Sequence, residues 1–365
     1  LSSRLSPGRD LEIDENQVTL RSEDLVSRGL VAPDRLGELR RVAEEFSVAL
    51  TDDVAGLIDP SDPNDPIAAQ FVPSGAELTD APEDRTDPIG DERWSPLPGI
   101  VHRYPDRVLL KPILVCPVYC RFCFRREQVG KDDGVLPPEA LERALDYIRE
   151  HQEIWEVIVT GGDPFLLSPR RIGVIVRALD AIPHVQAIRF HTRVPIVEPR
   201  RVGPVLVAAL AAEKAVYVVV HANHPRELTP KVREAVGRLV RAGIPVLSQS
   251  VLLRGVNDDA AVLEALFRGL VAMRVKPYYL HHPDLARGTG HFRLGIEEGR
   301  RLIKVLRGRI SGLCQPSYVL DIPGGYGKVP IAASAAVPGN APEHWIITDA
   351  AGVEHRYPPV EPADD

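Results

Sequence analysis

The chain has 365 residues, a net charge of −7, 44% hydrophobic and 26% charged residues, and four cysteines. That length buries a large core, as one big α/β domain with appendages or as two domains, and the acidic balance excludes a general nucleic-acid binder, whose phosphate affinity is built from Lys and Arg. No stretch approaches the ~20 apolar residues of a spanning helix, the first residues are polar and charged, and a disulfide framework belongs to short secreted chains, so a cytoplasmic protein without membrane or nucleic-acid partners is expected.

Residues 1–95 are acidic and rich in Pro and Asp, with helical apolar spacing around Val42 to Leu50, and predict a mainly α-helical N-terminal extension. Within it, the run from Ile58 to Pro66 is turn chemistry and predicts an irregular loop. A core over 96–315 follows. Its strand-length apolar runs are Val108 to Val115, Glu156 to Thr160, Ala187 to His191, Ala215 to His221, Pro245 to Leu252 and Lys276 to Leu280. Between them, Leu141, Ala144, Leu145 and Ile148 share a helical face, as do Ile172, Ile175, Val176 and Leu179, and then Val232, Ala235, Val236 and Leu239. Thr229 and Pro230 predict a helix start and Gly243 its stop. Six β–α repeats imply a parallel sheet with right-handed crossovers, and periodicity leaves open whether that sheet closes. Residues 316–365 predict a C-terminal segment of loop, short strands and polar tail.

Three of the four cysteines fall within eight residues, as Cys116, Cys120 and Cys123. Thiolates are the usual ligands of a [4Fe–4S] cluster, and three of them leave one iron open. A structural zinc site would need a second cysteine pair downstream, and only Cys314 remains. Polar or glycine residues follow the strands: Thr160-Gly161-Gly162-Asp163, His191-Thr192-Arg193, His221-Ala222-Asn223-His224, Ser248-Gln249-Ser250 and His281-His282-Pro283-Asp284. One such residue is usually a satisfied core group or a cap, but five groups around one rim predict a ligand pocket. Gly161 and Gly162 let backbone approach a ligand closely, or else make a tight turn with Asp163 capping the next helix. Lys328 stands on the glycine-rich run Asp321 to Pro330, where a mobile amine can form and surrender an imine; Val329 after it departs from the Walker phosphate loop. In His102 to Arg107, two arginines can bind a phosphate or, alternatively, pair with Asp106 or Glu92.

Taken together, the C-x3-C-R-x-C-x-R-R run, Tyr104-Pro105-Asp106-Arg107, Gly161-Gly162-Asp163, Tyr278-Tyr279-Leu280, Gly290-His291-Phe292 and Asp321 to Lys328 resemble the lysine 2,3-aminomutase family of radical S-adenosylmethionine enzymes, from about residue 95 to residue 335. The resemblance implies a partial (β/α)6 parallel barrel of the radical SAM type, with the helical N-terminal extension and a short C-terminal segment. It implies a [4Fe–4S] cluster on Cys116, Cys120 and Cys123, S-adenosylmethionine on the open iron against Phe122 and the Gly161-Gly162-Asp163 turn, with His221 and Gln249 also lining the cofactors. Lys328 would carry pyridoxal 5′-phosphate, near Arg103, Tyr104 and Arg107. Arg125 would meet the substrate carboxylate, and Asp284 and Asp321 the distal ammonium of free L-lysine, a pair that a relative acting on glutamate would lack. The implied reaction is 1,2-amino migration to β-lysine, fed by a one-electron donor such as flavodoxin or ferredoxin, in a homo-oligomer. Arginine also carries a distal cation; a role in elongation-factor modification and a non-catalytic iron–sulfur redox or sensor protein are the alternatives. No cysteine follows Cys314, and Asp259 stands where another zinc ligand of longer members would fall, so zinc is not expected.

Overall fold

The computed structural model describes residues 20–131, 134–338, 345–349 and 352–357. Its centre is a nine-stranded sheet in which every strand lies beside its sequence neighbours: β1 (Ile100–Tyr104), β2 (Arg107–Ile113), β3 (Glu156–Gly161), β4 (Ala187–Thr192), β5 (Ala215–His221), β6 (Val246–Val251), β7 (Val275–His281), β8 (Ser317–Asp321) and β9 (Lys328–Pro330). β2 to β8 run parallel, whereas β1 and β9 are antiparallel at the two edges. An unbroken sequential order means that each crossover carries the chain the same way round. Crossovers of one hand then place all the helices on one face, which curls the sheet into a partial barrel; a doubly wound sheet would reverse its order midway.

The six predicted strands are β2 to β7, with ends displaced by at most two residues. The predicted helical faces are buried on Pro138–Glu150, Pro169–Asp180 and Pro230–Arg241. Thr229 caps the last of these through Val232 N at 3.3 Å, and Gly243 stops it in the left-handed region at φ 81°. The seventh parallel strand, β8, extends the sheet into the predicted C-terminal segment, and β9 turns back on it so that Asp321 and Lys328 are direct cross-strand partners.

In the N-terminal region the helix occupies Leu36–Glu45 and stops at Phe46, earlier than the spacing around Val42 to Leu50 predicts. Phe46 lies under Arg126, and Leu50 bridges to Leu20, so tertiary contacts take these residues out of the helix. Asp65 ends the predicted irregular loop by capping Pro66–Phe71 through the amides of Ile67 and Ala68 at 2.8 and 2.7 Å. A small sheet of Ala336–Pro338, Trp345–Thr348 and Glu354–Tyr357 lies apart from the large one. Among the described residues, no helix is long and apolar enough to cross a membrane.

Candidate active site

The cysteine loop hangs on the residues before the barrel. Tyr119 N donates to Ala49 O at 3.1 Å and Arg121 N to Gln70 O at 2.9 Å. Below it, Glu77 accepts from Arg121 Nε at 3.0 Å and also pairs with Arg126, whose guanidinium lies 3.5 Å over the Phe46 ring. Burial acts against the Glu77 carboxylate, but the Arg121 charge and hydrogen bonds outweigh it and hold its pKa below the ordinary range. On the barrel side, the loop meets the β3 turn. Gly161 takes φ 110°, and a Cβ there would stand 2.5 Å from Ile113 O; a Cβ on Gly162 would stand 2.4 Å from Val115 O. The amides of Gly162 and Asp163 donate to those same carbonyls at 2.7 and 2.9 Å. The two glycines therefore serve close packing of the cysteine loop on β3. Asp163 is a hub: its carboxylate accepts from Thr192 Oγ1 at 2.7 Å and from the amides of Phe165, Arg193 and Val194.

All sixteen residues predicted for the site line one cavity of about 610 Å³: Arg103, Tyr104, Arg107, Cys116, Cys120, Phe122, Cys123, Arg125, Gly161, Gly162, Asp163, His221, Gln249, Asp284, Asp321 and Lys328. It runs along the inner side of the sheet, from the C-terminal ends of the strands, where a barrel gathers its functional residues, to Arg107 and Glu156 at the starts of β2 and β3. A second hollow, of about 730 Å³, lies at the opposite ends of β5 and β6 and is lined largely by Ala, Val, Leu and Pro.

At the cysteine end, burial pushes the Cys116 thiol well up and that of Cys123 up to about 11. Metal binding would draw the Cys116 and Cys123 thiols toward the thiolate against that burial. Among the described residues no three His, Cys, Asp or Glu side chains converge on a single metal ion. Arg193 Nη1 donates to Cys120 Sγ at 2.8 Å, and its other guanidinium nitrogen reaches Gln70 and Glu227 at 2.7 and 3.0 Å. The thiol trio and this donor fit an iron–sulfur cluster.

Another part of the cavity is ionic. Lys328 Nζ pairs with Asp321, and His281 Nδ1 stands 3.2 Å from that nitrogen and 3.3 Å from Asp321 Oδ2. Tyr104 Oη accepts from the Lys328 amide at 2.7 Å, and the Arg107 guanidinium lies 3.8 Å over the Tyr104 ring. Burial opposes the Asp321 carboxylate, but the hydrogen bond from His281 and the Lys328 charge hold it far below the ordinary range. Asp284, without such a partner, is pushed up to about 7 by burial and by the Asp321 charge, and its Oδ1 is buried with no hydrogen bond. A lysine amine, guanidinium groups and unpaired buried polar atoms fit a phosphorylated aldehyde cofactor.

Sequence reasoning missed Asp91, which accepts from Arg125 Nε at 2.9 Å and from Arg103 Nη2 at 3.1 Å. Arg107 pairs with Asp106, one of its two predicted alternatives, while Arg103 takes Asp91 rather than Glu92. His191 Nδ1 and His221 Nε2 meet at 3.1 Å, and burial pushes His221 down to about 3. Asp259 caps Ala260–Ala272 through the amides of Ala261 and Val262.

The Radical SAM superfamily matches residues 110–266. The chain is 44% identical over 314 residues to L-lysine 2,3-aminomutase of Clostridium subterminale, covering 86% of this chain and 75% of that one. The chain belongs to the lysine 2,3-aminomutase family. It is likewise 40% identical to the L-lysine 2,3-aminomutase of Acetoanaerobium sticklandii, over 85% of this chain and 75% of that one. Glutamate 2,3-aminomutase of Clostridioides difficile is 38% identical, over 80% of this chain and 69% of that one. A lysine 2,3-aminomutase family member is a radical SAM isomerase, and the curled parallel sheet with cysteines at its C-terminal rim is the corresponding architecture.

Proposed function

We propose that the protein converts free L-lysine to β-lysine by moving the amino group from C2 to C3. The observation that carries the substrate is the pair Asp284 and Asp321, one half-buried and one buried carboxylate lining the same cavity, with Asp284 Oδ1 buried. A buried ammonium needs opposite charge to offset its desolvation, and an ω-carboxylate substrate would meet repulsion there.

Cys116, Cys120 and Cys123 would hold a [4Fe–4S] cluster with S-adenosylmethionine, and Lys328, Arg103, Tyr104 and Arg107 pyridoxal 5′-phosphate. When bound, these groups supply a hydrogen-abstracting carbon radical and an aldehyde that condenses with amines and delocalises a neighbouring radical. The chain's own residues bind, orient and exclude. Arg125 offers a guanidinium to the substrate carboxylate, held in place by Asp91. Asp284 and Asp321 take the distal ammonium, so the substrate is fixed at both ends and its C2–C3 bond is held in one orientation. Phe122, against Phe292 at 6.2 Å between ring centroids, gives the adenine an apolar wall. His221 and Gln249, on neighbouring strands, face the same cofactor space. A flavodoxin or ferredoxin would deliver the electron to a cytoplasmic homo-oligomer without zinc.

Anaerobically reconstituted protein with reductant, S-adenosylmethionine and pyridoxal phosphate should form β-lysine from L-lysine, detected by mass spectrometry, and nothing from L-glutamate. Product from glutamate, or from lysine equally well in Asp284→Ala, would sink the substrate assignment.

A further inference from the structure

His281 is the last residue of β7. It is buried, and its ring touches both partners of the ion pair: Nδ1 lies 3.2 Å from Lys328 Nζ and 3.3 Å from Asp321 Oδ2. Nε2 is buried without a hydrogen-bond partner among the described residues. Both neighbours arrive on the β8–β9 hairpin, where Asp321 and Lys328 are cross-strand partners, so the three side chains form one fixed triangle.

An ammonium ion cannot attack an aldehyde; Lys328 must first lose a proton. Asp321 stabilises the ammonium form and is a poor acceptor, since its charge is so well compensated. Of the described groups, His281 Nδ1 is the neutral nitrogen within reach. In the tautomer with the hydrogen on Nδ1 the ring donates to Asp321; in the other, with the hydrogen on Nε2, Nδ1 gives up that bond and offers a lone pair to Nζ. After transfer, the imidazolium faces the Asp321 carboxylate. The other charged and titratable groups around the ring are Tyr279, whose ring centroid is 5.6 Å away, Arg103, which lies 3.9 Å from Asp321, Asp284, and His191 and His221 across the barrel. Burial and the Lys328 charge keep His281 neutral while Lys328 is charged.

We propose that His281 is the proton acceptor that turns Lys328 from an ion-paired ammonium into the nucleophile that captures pyridoxal phosphate. One Nζ proton passes to Nδ1, and the freed lone pair forms the bond to the aldehyde carbon. The aldehyde oxygen leaves as water with the two protons remaining on Nζ, and His281 returns its proton to the new imine nitrogen or to solvent. Nothing is oxidised or reduced. The inference rests on the cofactor assignment made above, but not on the substrate.

The test is to mix protein carrying its cluster but stripped of pyridoxal phosphate with that cofactor, and follow the imine absorbance by stopped flow between pH 6 and 10. Lys328→Ala identifies the band. His281→Asn, which keeps a hydrogen bond to Asp321 but cannot accept the proton, should slow capture about 10- to 100-fold at neutral pH, with the final amplitude unchanged. The gap should close as pH rises toward the ionisation of the lysine itself, and added imidazole should restore part of the rate. In the wild type, capture should run at a nearly pH-independent rate across the neutral range, because His281 is already neutral there. An unchanged rate in His281→Asn, an equal loss at every pH, or a wild-type profile that rises only in the lysine range would each overturn the proposal. Absence of a Lys328-dependent band in the wild type would instead overturn the cofactor assignment, and this inference with it.

Discussion

Asp284 combines burial with a neighbouring like charge, and its carboxyl is pushed up to about 7 from an ordinary 3.8. A raised carboxyl favours the protonated fold: both states are protonated below about 3.8, and stability falls as pH rises from there to about 7, above which both states are ionised. Substrate binding has the opposite sign, because an ammonium ligand needs the ionised form. KM for lysine is therefore expected to fall as pH rises through about 7, and Asp284→Asn should flatten that profile. The same variant should melt higher at pH 8, by on the order of 1–2 kcal/mol, while losing about 100-fold in kcat/KM for lysine. Thermal melts and initial rates on one preparation separate the two effects. At this scale the chemistry of Asp284 was legible from residue type and family likeness. Its unpaired state was not, because that depends on Lys328 choosing Asp321 instead.

Between residue and fold stands the short segment that carries Glu77. It reaches the cysteine loop from the N-terminal region and takes two buried guanidinium groups at once. Glu77→Gln would leave Arg121 and Arg126 short of a counter-charge, at a cost of about 3–5 kcal/mol. The expected result is a lower melting temperature and less iron bound per chain on reconstitution, measured by thermal unfolding and iron assay; unchanged iron binding would show that the loop holds its shape alone. The Glu77 pKa is lowered, so its contribution is present at neutral pH and fades as pH falls through its folded value. Cys116, Cys120 and Cys123 announce themselves by spacing, but nothing in the acidic stretch before them marks Glu77 or Asp91 as their supports. Both look like ordinary surface acids until the chain brings arginines onto them.

Across the whole molecule, the segment before β1 is clasped to the loop that bears Lys328. Trp94 Nε1 donates to Gly325 O at 3.0 Å, and Gly324 N donates to Pro88 O at 3.3 Å. Gly90 sits in the left-handed region at φ 67°, and a Cβ there would stand 2.7 Å from Gly324 C and Gly325 N. Gly90→Val is expected to cost on the order of 1–3 kcal/mol from backbone strain alone. It should also slow pyridoxal phosphate capture by displacing the Lys328 loop, while iron binding at the cysteines stays normal. Equal loss of both cofactors would indicate general unfolding instead.

By itself the sequence determined the six central strands, the helical faces that cover them and the residues at their C-terminal ends, because alternation and helical period are local and survive without tertiary context. Lys328 and the three cysteines were equally plain, since their chemistry is rare and their neighbours distinctive. Only the tertiary structure decided that β8 and β9 extend the same sheet, so that Asp321 lies opposite Lys328 and His281 closes the triangle. Ser317–Asp321 is short and runs into a Pro-Gly turn, and its strand character comes from pairing with β7. Ion pairs such as Asp91 with Arg103 and Arg125, or Glu77 with Arg121 and Arg126, join residues 12 to 49 positions apart. Charge carries no directional pattern along a chain, so such partners become visible only once the fold has brought them together.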